Sequence, residues 1–133
     1  MLELPKGTNL AFHALAALAK QPSETLGIAR IAESLGASPS YMAHLFQRLV
    51  REGLLVSQRG TGGGYGLARP PQEITLWDVI VALSDREQGN TADLEDCATC
   101  PLASACPVKT SLQCAKEKLA EIFLQVRVDM LIV

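Results

Sequence analysis

The chain has 133 residues, 48% of them hydrophobic, and a formal net charge of −2. Length and apolar content suit one compact domain with an appendage and exclude a disordered chain. The longest apolar stretches, such as residues 10–19, are interrupted by His13 and are too short to span a bilayer. The N-terminal MLELPKGTN has no basic segment followed by an apolar core and cleavage site, so a cytoplasmic, membrane-free protein is expected.

The net charge conceals an asymmetry. Residues 1–70 carry seven Lys/Arg and four Asp/Glu; residues 71–133 carry five and ten. Nucleic-acid affinity depends on local positive charge facing phosphates, which makes the N-terminal half the candidate binder. An excess of this size is also ordinary scatter, so charge alone does not decide the matter.

Residues 9–20 combine strong helix formers with apolar positions all round and read as a largely buried first helix, with Thr8 or Asn9 as its cap. Pro22 and Ser23 break the pattern. Residues 27–35 place Ile28, Ile31, Ala32 and Leu35 at helical spacing, and Gly36 ends that helix. Ser38-Pro39 then starts a third helix, with Ser38 as cap and Pro39 in the first turn, running to about Glu52 and stopped by Gly53. Met42, Leu45, Phe46 and Leu49 form its apolar stripe; Tyr41, His44, Gln47, Arg48 and Arg51 lie on other faces. A short helix, a glycine-containing turn and a second helix with a polar N-terminal face follow the helix-turn-helix plan, in which the second helix enters the major groove. A simple helical hairpin serving as core has the same pattern.

The following segment tips the balance. Residues 54–56 and 65–67 read as two short strands joined by Gly60-Thr61-Gly62-Gly63-Gly64, a β-hairpin wing with Arg59 at the base of its tip and Arg69 after its return strand. A glycine tip flanked by arginine can approach a DNA backbone or minor groove closely. The run lacks the Gly-Lys-Ser/Thr ending of a phosphate-binding loop. Beyond Pro70-Pro71, Thr75 and Asp78 have the spacing of a capping box opening a helix over residues 75–84, and Trp77 is expected to pack against the first helices.

Cys97, Cys100, Cys106 and Cys114 are the only cysteines, spaced C-x2-C-x5-C-x7-C. Without a secretion signal, metal, cluster or redox chemistry is a better expectation than a structural disulfide framework. Thiolates favour soft metals and iron–sulfur clusters. Zinc is an alternative, although only Cys97 and Cys100 form a close-spaced pair, and a metal-free thiol switch is a third reading. Residues 89–110 read as a polar loop. Residues 111–133 read as a last helix whose stripe of Leu112, Ala115, Leu119, Ile122, Val126 and Val133, slipping at Asp129, suits pairing with the same helix of a second subunit.

These segments together resemble the bacterial winged-helix regulators of the IscR, NsrR and CymR type, the Rrf-type family. The resemblance is carried by IARIAESLGASPSYMAHLFQRLVREGLL, by RGTGGGYGLARPPQEITLWDVIVAL, and by the cysteine segment with the terminal helix. It implies a mostly α fold with a small β-hairpin wing: a winged helix-turn-helix over residues 1–84, a cysteine-bearing sensor loop over 85–110, and a long C-terminal dimerisation helix over 111–133. It implies a homodimer on double-stranded operator DNA, with no small-molecule substrate and no enzymatic activity. Ser38, Ser40 and Tyr41 match the start of the recognition helix, and Arg59 matches an arginine that enters the minor groove. With His44, Arg48, Gly62 and Gly63 they make up the expected DNA-binding set. Ala43 and His44 depart from the carboxylate and amide that well-known members carry there; Ala43 has no side-chain hydrogen bond to offer a base.

Cys100 and Cys106 match the x5 pair among the family's three cluster ligands, and Cys97 matches the first with a shorter gap than usual, for a [2Fe-2S] or [4Fe-4S] centre. Asn9 stands where some members carry a ligating Asp, which leaves Cys114, or its plain reading as a small apolar residue, for the fourth position. The regulator would then respond to redox or iron–sulfur status, a change in the loop shifting the dimer helix. A small iron–sulfur carrier is the rival from another class, but the cysteine spacing is not that of bacterial ferredoxins, and the wing would go unexplained. No paired carboxylate or triad surrounds His13 or His44.

Overall fold

The computed structural model describes residues 4–84 and 106–132. Among the described residues, five α-helices and one hairpin follow in the order α1 (Lys6–Ala19), α2 (Ile28–Ser34), α3 (Pro39–Arg51), β1 (Leu55–Gln58), β2 (Gly64–Leu67), α4 (Leu76–Leu83) and α5 (Pro107–Gln125), with 3-10 turns at Pro71–Glu73 and Val128–Leu131. The fold is a mostly helical winged helix carrying a further C-terminal helix.

The first helix starts earlier than expected. Thr8 and Asn9 do not cap it: the Pro5 carbonyl accepts from the amides of both, at 2.9 and 3.2 Å, and Thr8 is buried inside the first turn. Proline supplies the fixed φ that launches the helix without a side-chain cap. Gly7, Thr8, Ala11, Ala14, Leu15, Leu18 and Ala19 make one buried face at i, i+3, i+4 spacing, while Asn9 and His13 are exposed.

Helices α2 and α3 follow the expected turn. Gly36 takes φ +61°, a left-handed conformation that L-residues with a Cβ adopt at a cost. Ser38 caps α3 through its hydroxyl, which accepts from the Tyr41 amide at 3.2 Å, and Pro39 occupies the first turn. Met42, Phe46 and Leu49 are fully buried and Leu45 nearly so. Each such side chain contributes about 1.5–3 kcal/mol relative to exposure. Together with Leu15, Leu18, Ile31, Leu54, Leu55, Ile74 and Val79 they form one contiguous core.

The hairpin strands pair antiparallel, Leu55 opposite Leu67 through Gln58 opposite Gly64. Both run slightly beyond the expected limits. Thr75 and Asp78 close a complete capping box at the start of α4.

The C-terminal helix is displaced in register from the expectation. It begins at Pro107, so residues 107–110 are helical rather than loop, and it ends at Gln125, short of position 133. The chain then returns to the winged domain. The Val126 carbonyl accepts from the Leu76 amide and the Val128 amide donates to the Ile74 carbonyl, both at 2.9 Å, around a β-bridge between Arg127 and Thr75. Val128 is fully buried in the core. The break at Asp129 in the apolar pattern therefore marks the return of the chain to the core. Helix α5 packs against α4 and has no buried residue.

Candidate nucleic-acid interface

The burial of α3 defines what its outer face offers. Ser38, Ser40, Tyr41, His44 and Gln47 are exposed in or beside the first turns, while the opposite face enters the core. Ser38 and Ser40 hydroxyls lie 3.4 Å apart. The Tyr41 ring leans back over the start of α1, where a Cβ on Gly7 would stand 2.9 Å from the Tyr41 hydroxyl oxygen. Ala43 is half-buried and His44 faces solvent. The arrangement presents hydroxyls, a phenol and an imidazole at one helix end, groups able to donate to or accept from base edges and phosphates.

Arg48 sits differently from the rest of the expected set. Its guanidinium turns toward the end of α4 and donates to the Ser84 carbonyl at 3.1 Å. A cation there answers the free carbonyls and partial negative charge of a helix C-terminus.

The wing is fastened to α3 and to the segment before α2. The Tyr65 ring of β2 packs edge-on against Phe46 of α3, with centroids 4.9 Å apart and planes at 82°. Leu26 and Tyr65 exchange both backbone hydrogen bonds at 2.9 Å, an isolated bridge that extends the hairpin by one more pairing. Arg59 and Gly62 are exposed at the tip. A Cβ on Gly63 would collide with the Gln58 carbonyl, and one on Gly64 with the carbonyl of Leu26, so these positions exclude side chains by close backbone approach. The pairing through Leu26 is the feature that sequence reasoning missed. A lone bridge of one residue has no alternating run to betray it, although Thr25-Leu26 just ahead of the Gly27 cap is a weak strand signal.

Residues 4–133 match the Rrf2 family, described as an iron-dependent transcriptional regulator. The chain belongs to the Rrf2 family. This regulator is 30% identical over 135 residues to the protein aau3 of Rhizobium meliloti, covering 98% of this chain and 85% of that one. It is 34% identical over 84 residues to the HTH-type regulator BadM of Rhodopseudomonas palustris, covering 63% of this chain and about half, 54%, of BadM. Against IscR of Serratia proteamaculans it is 45% identical over 58 residues, 44% of this chain and 35% of that one. Among solved structures, T. potens IscR superposes with a TM-score of 0.76 at 26% identity, over 98% of this chain and 86% of that one. The oxidised form of Staphylococcus aureus CymR shares the fold, with a TM-score of 0.72 at 22% identity over 96% and 94%. The regulator's relatives are transcription factors rather than enzymes, and binding to DNA is the activity their common fold implies. Among the described residues, no helix is long and apolar enough to cross a membrane.

Two of the four cysteines fall within the described residues; Cys97 and Cys100 lie outside them. Cys106 is half-buried at the N-cap of α5, and Cys114 is exposed two turns further along; both thiols are free. Eight residues of helix place them about 12 Å apart along the axis. Two thiolates on one zinc ion, each about 2.3 Å from the metal, are no more than about 4.6 Å apart. Cys106 and Cys114 of one chain therefore do not meet on one metal ion. Among the described residues, no three His, Cys, Asp or Glu converge on a metal position. Cys106 stands at the N-cap of α5, and Cys97 and Cys100, the two residues that the sequence groups with it, lie outside the described residues.

Proposed function

We propose that this regulator acts as a homodimer that reads a two-fold operator through α3 and the wing and reports the state of a cysteine-ligated iron–sulfur cluster. The observation that carries the DNA-reading half is the fastening of the Arg59 wing onto α3 through Tyr65 and Phe46. It joins the hairpin that carries the exposed Arg59 to a helix whose outer face holds Ser38, Ser40, Tyr41 and His44. In this reading Gly62 and Gly63 let the tip approach the backbone, and Arg48 ties α3 to α4. The dimer is supported by the apolar side chains α5 leaves in water: Leu112 is 46% and Ile122 57% exposed in the single chain. A matching helix from a second copy would cover them.

Cluster binding is supported by the iron-dependent description of the family and by the C-x2-C-x5-C set. Cys97, Cys100 and Cys106 would hold the group, and Cys114 is the candidate for the fourth position only where two cysteines bind different irons of the cluster, since the Cys106–Cys114 spacing does not fit one metal ion. When bound, such a cluster supplies a centre whose charge and occupancy change with iron supply and oxidants. The chain's own part is to hold Cys106 at the start of α5, so that a change in the cysteine segment is felt at the helix that would pair the subunits. For this to alter DNA affinity, the occupied and empty states must favour different dimer arrangements by different amounts.

Anaerobic purification followed by absorption spectroscopy and iron, sulfide and zinc analysis tests the cluster. Visible absorption with bound iron and sulfide, lost in Cys100→Ala/Cys106→Ala, is expected. A colourless protein that takes up only zinc, or no metal on reconstitution, would replace the cluster with a zinc site or a thiol switch. Salt-sensitive binding of the same preparation to a duplex enriched from a random-sequence pool tests the DNA half.

A further inference from the structure

The wing tip has little to hold it. Residues 60–64 contain four glycines and Thr61, and the tip's own backbone closes with one turn bond, Gly63 amide to Gly60 carbonyl at 2.9 Å. Such a segment samples many conformations unless something outside it restrains it. The restraint comes from the other side of the helix-turn-helix. The Thr25 hydroxyl donates to the Gly62 carbonyl at 3.1 Å, across 37 positions of sequence. Its neighbour Leu26 exchanges backbone bonds with Tyr65, and the Thr25 methyl sits beside Gly66, where an added Cβ would stand 3.4 Å from it. Directly after Thr25-Leu26 come the Gly27 cap and α2, then the turn into α3.

We propose that Thr25 is a positioning residue for the wing, fixing Arg59 relative to the recognition helix without itself touching DNA. The inference rests on the reading of Arg59 as a DNA contact. With the Gly62 carbonyl held, the tip's swing is limited at one end by the hairpin ladder and at the other by Thr25. Arg59 is then pre-placed for its groove, and less freedom is lost on binding. Without the hydroxyl, the β-bridge still seats the strand, but the glycine tip beyond it is released. The effect is therefore expected on affinity rather than on folding.

The test uses the full chain and a fluorescently labelled duplex enriched from a random-sequence pool by the unmutated protein. Thr25→Val keeps the shape and removes the donor; Thr25→Ser keeps the donor. Affinity is measured at one fixed salt concentration, together with thermal melting, for both variants, for Arg59→Ala and for Thr25→Val/Arg59→Ala. Thr25→Val is expected to weaken binding about fivefold with little change in melting, Thr25→Ser to restore most of it, and the Thr25 effect to vanish in the Arg59→Ala background. Undiminished affinity of Thr25→Val, or an equal loss with and without Arg59, overturns the inference while leaving the wing reading intact. Loss in both Thr25→Val and Thr25→Ser that tracks a fall in melting temperature overturns it in favour of a packing role. Unchanged affinity of Arg59→Ala removes the wing reading itself, and this inference with it.

Discussion

The Arg48 guanidinium joins α3 to the end of α4 by donating to the Ser84 carbonyl at 3.1 Å. Ser84 is the C-cap of α4. The contact thus joins the helix proposed to read DNA to the C-terminal end of α4. Removing it in Arg48→Ala is expected to lower stability by up to about 1 kcal/mol, because a charged donor to a helix-terminal carbonyl is lost, although the bond is exposed to solvent. In a chain of this size that corresponds to a fall of at most about 3–6 °C in melting temperature. The salt dependence of DNA binding separates this from a phosphate contact. A slope smaller by about 1 in log–log form would place the guanidinium on the backbone instead.

Val128 is the anchor of the returning C-terminal segment and is fully buried. Val128→Ala removes two methyl groups from a packed core and leaves a small void. It is expected to cost about 2 kcal/mol of unfolding free energy, measured by denaturant titration. Met130→Ala, two residues on and half-exposed, is expected to change stability far less. Equal effects of the two would mean that the return segment is not seated as described.

The apolar face of α5 makes the dimer testable without DNA. Leu119→Lys/Ile122→Lys replaces two exposed apolar side chains with charges. If these side chains are buried between subunits, the dimer dissociation constant is expected to rise at least about a hundredfold, read by sedimentation at several concentrations. The monomer's melting curve should stay cooperative, since α5 contributes nothing to the core of one chain. A sedimentation profile identical to that of the unmutated chain would remove α5 from the interface.

Cys106 and Cys114 lie about two turns apart at the start of α5, and substitution tests their proposed roles separately. Cys106→Ser is expected to abolish the visible absorption of anaerobically prepared protein, whereas Cys114→Ser is expected to keep it with unchanged iron content. Loss of iron from Cys114→Ser alone would make Cys114 the fourth ligand.

Much of the fold was legible in the residues themselves because its determinants are local. Ser38-Pro39 and Thr75 with Asp78 specify helix starts through bonds spanning three residues. Gly36 marks a turn by the conformation that other residues avoid. The stripe Met42, Leu45, Phe46 and Leu49 declares which side of α3 is core, and hence leaves Ser40, Tyr41 and His44 outside. The Rrf2 kinship was readable for the same reason, since its wing and the α4 entry lie in one unbroken stretch. The start of α1 was misplaced because Pro5, rather than a polar side chain, launches it, and a buried Thr8 looks the same as a capping one in sequence.

Tertiary structure decided what depends on residues far apart in the chain. Arg48 looks like any basic residue on a helix face until α4 brings the Ser84 carbonyl to it across 36 positions. Thr25 gains a role only because the hairpin folds back to place Gly62 against it. The end of α5 and the return through Val126 and Val128 follow from the free backbone groups of Ile74 and Leu76, which need partners and find them there. Helix caps and stripes are set by neighbours a few bonds away, so the sequence by itself determines them. The direction of a long side chain or the pairing of a single strand residue depends on which distant group the closed chain delivers, and only the folded structure settles that.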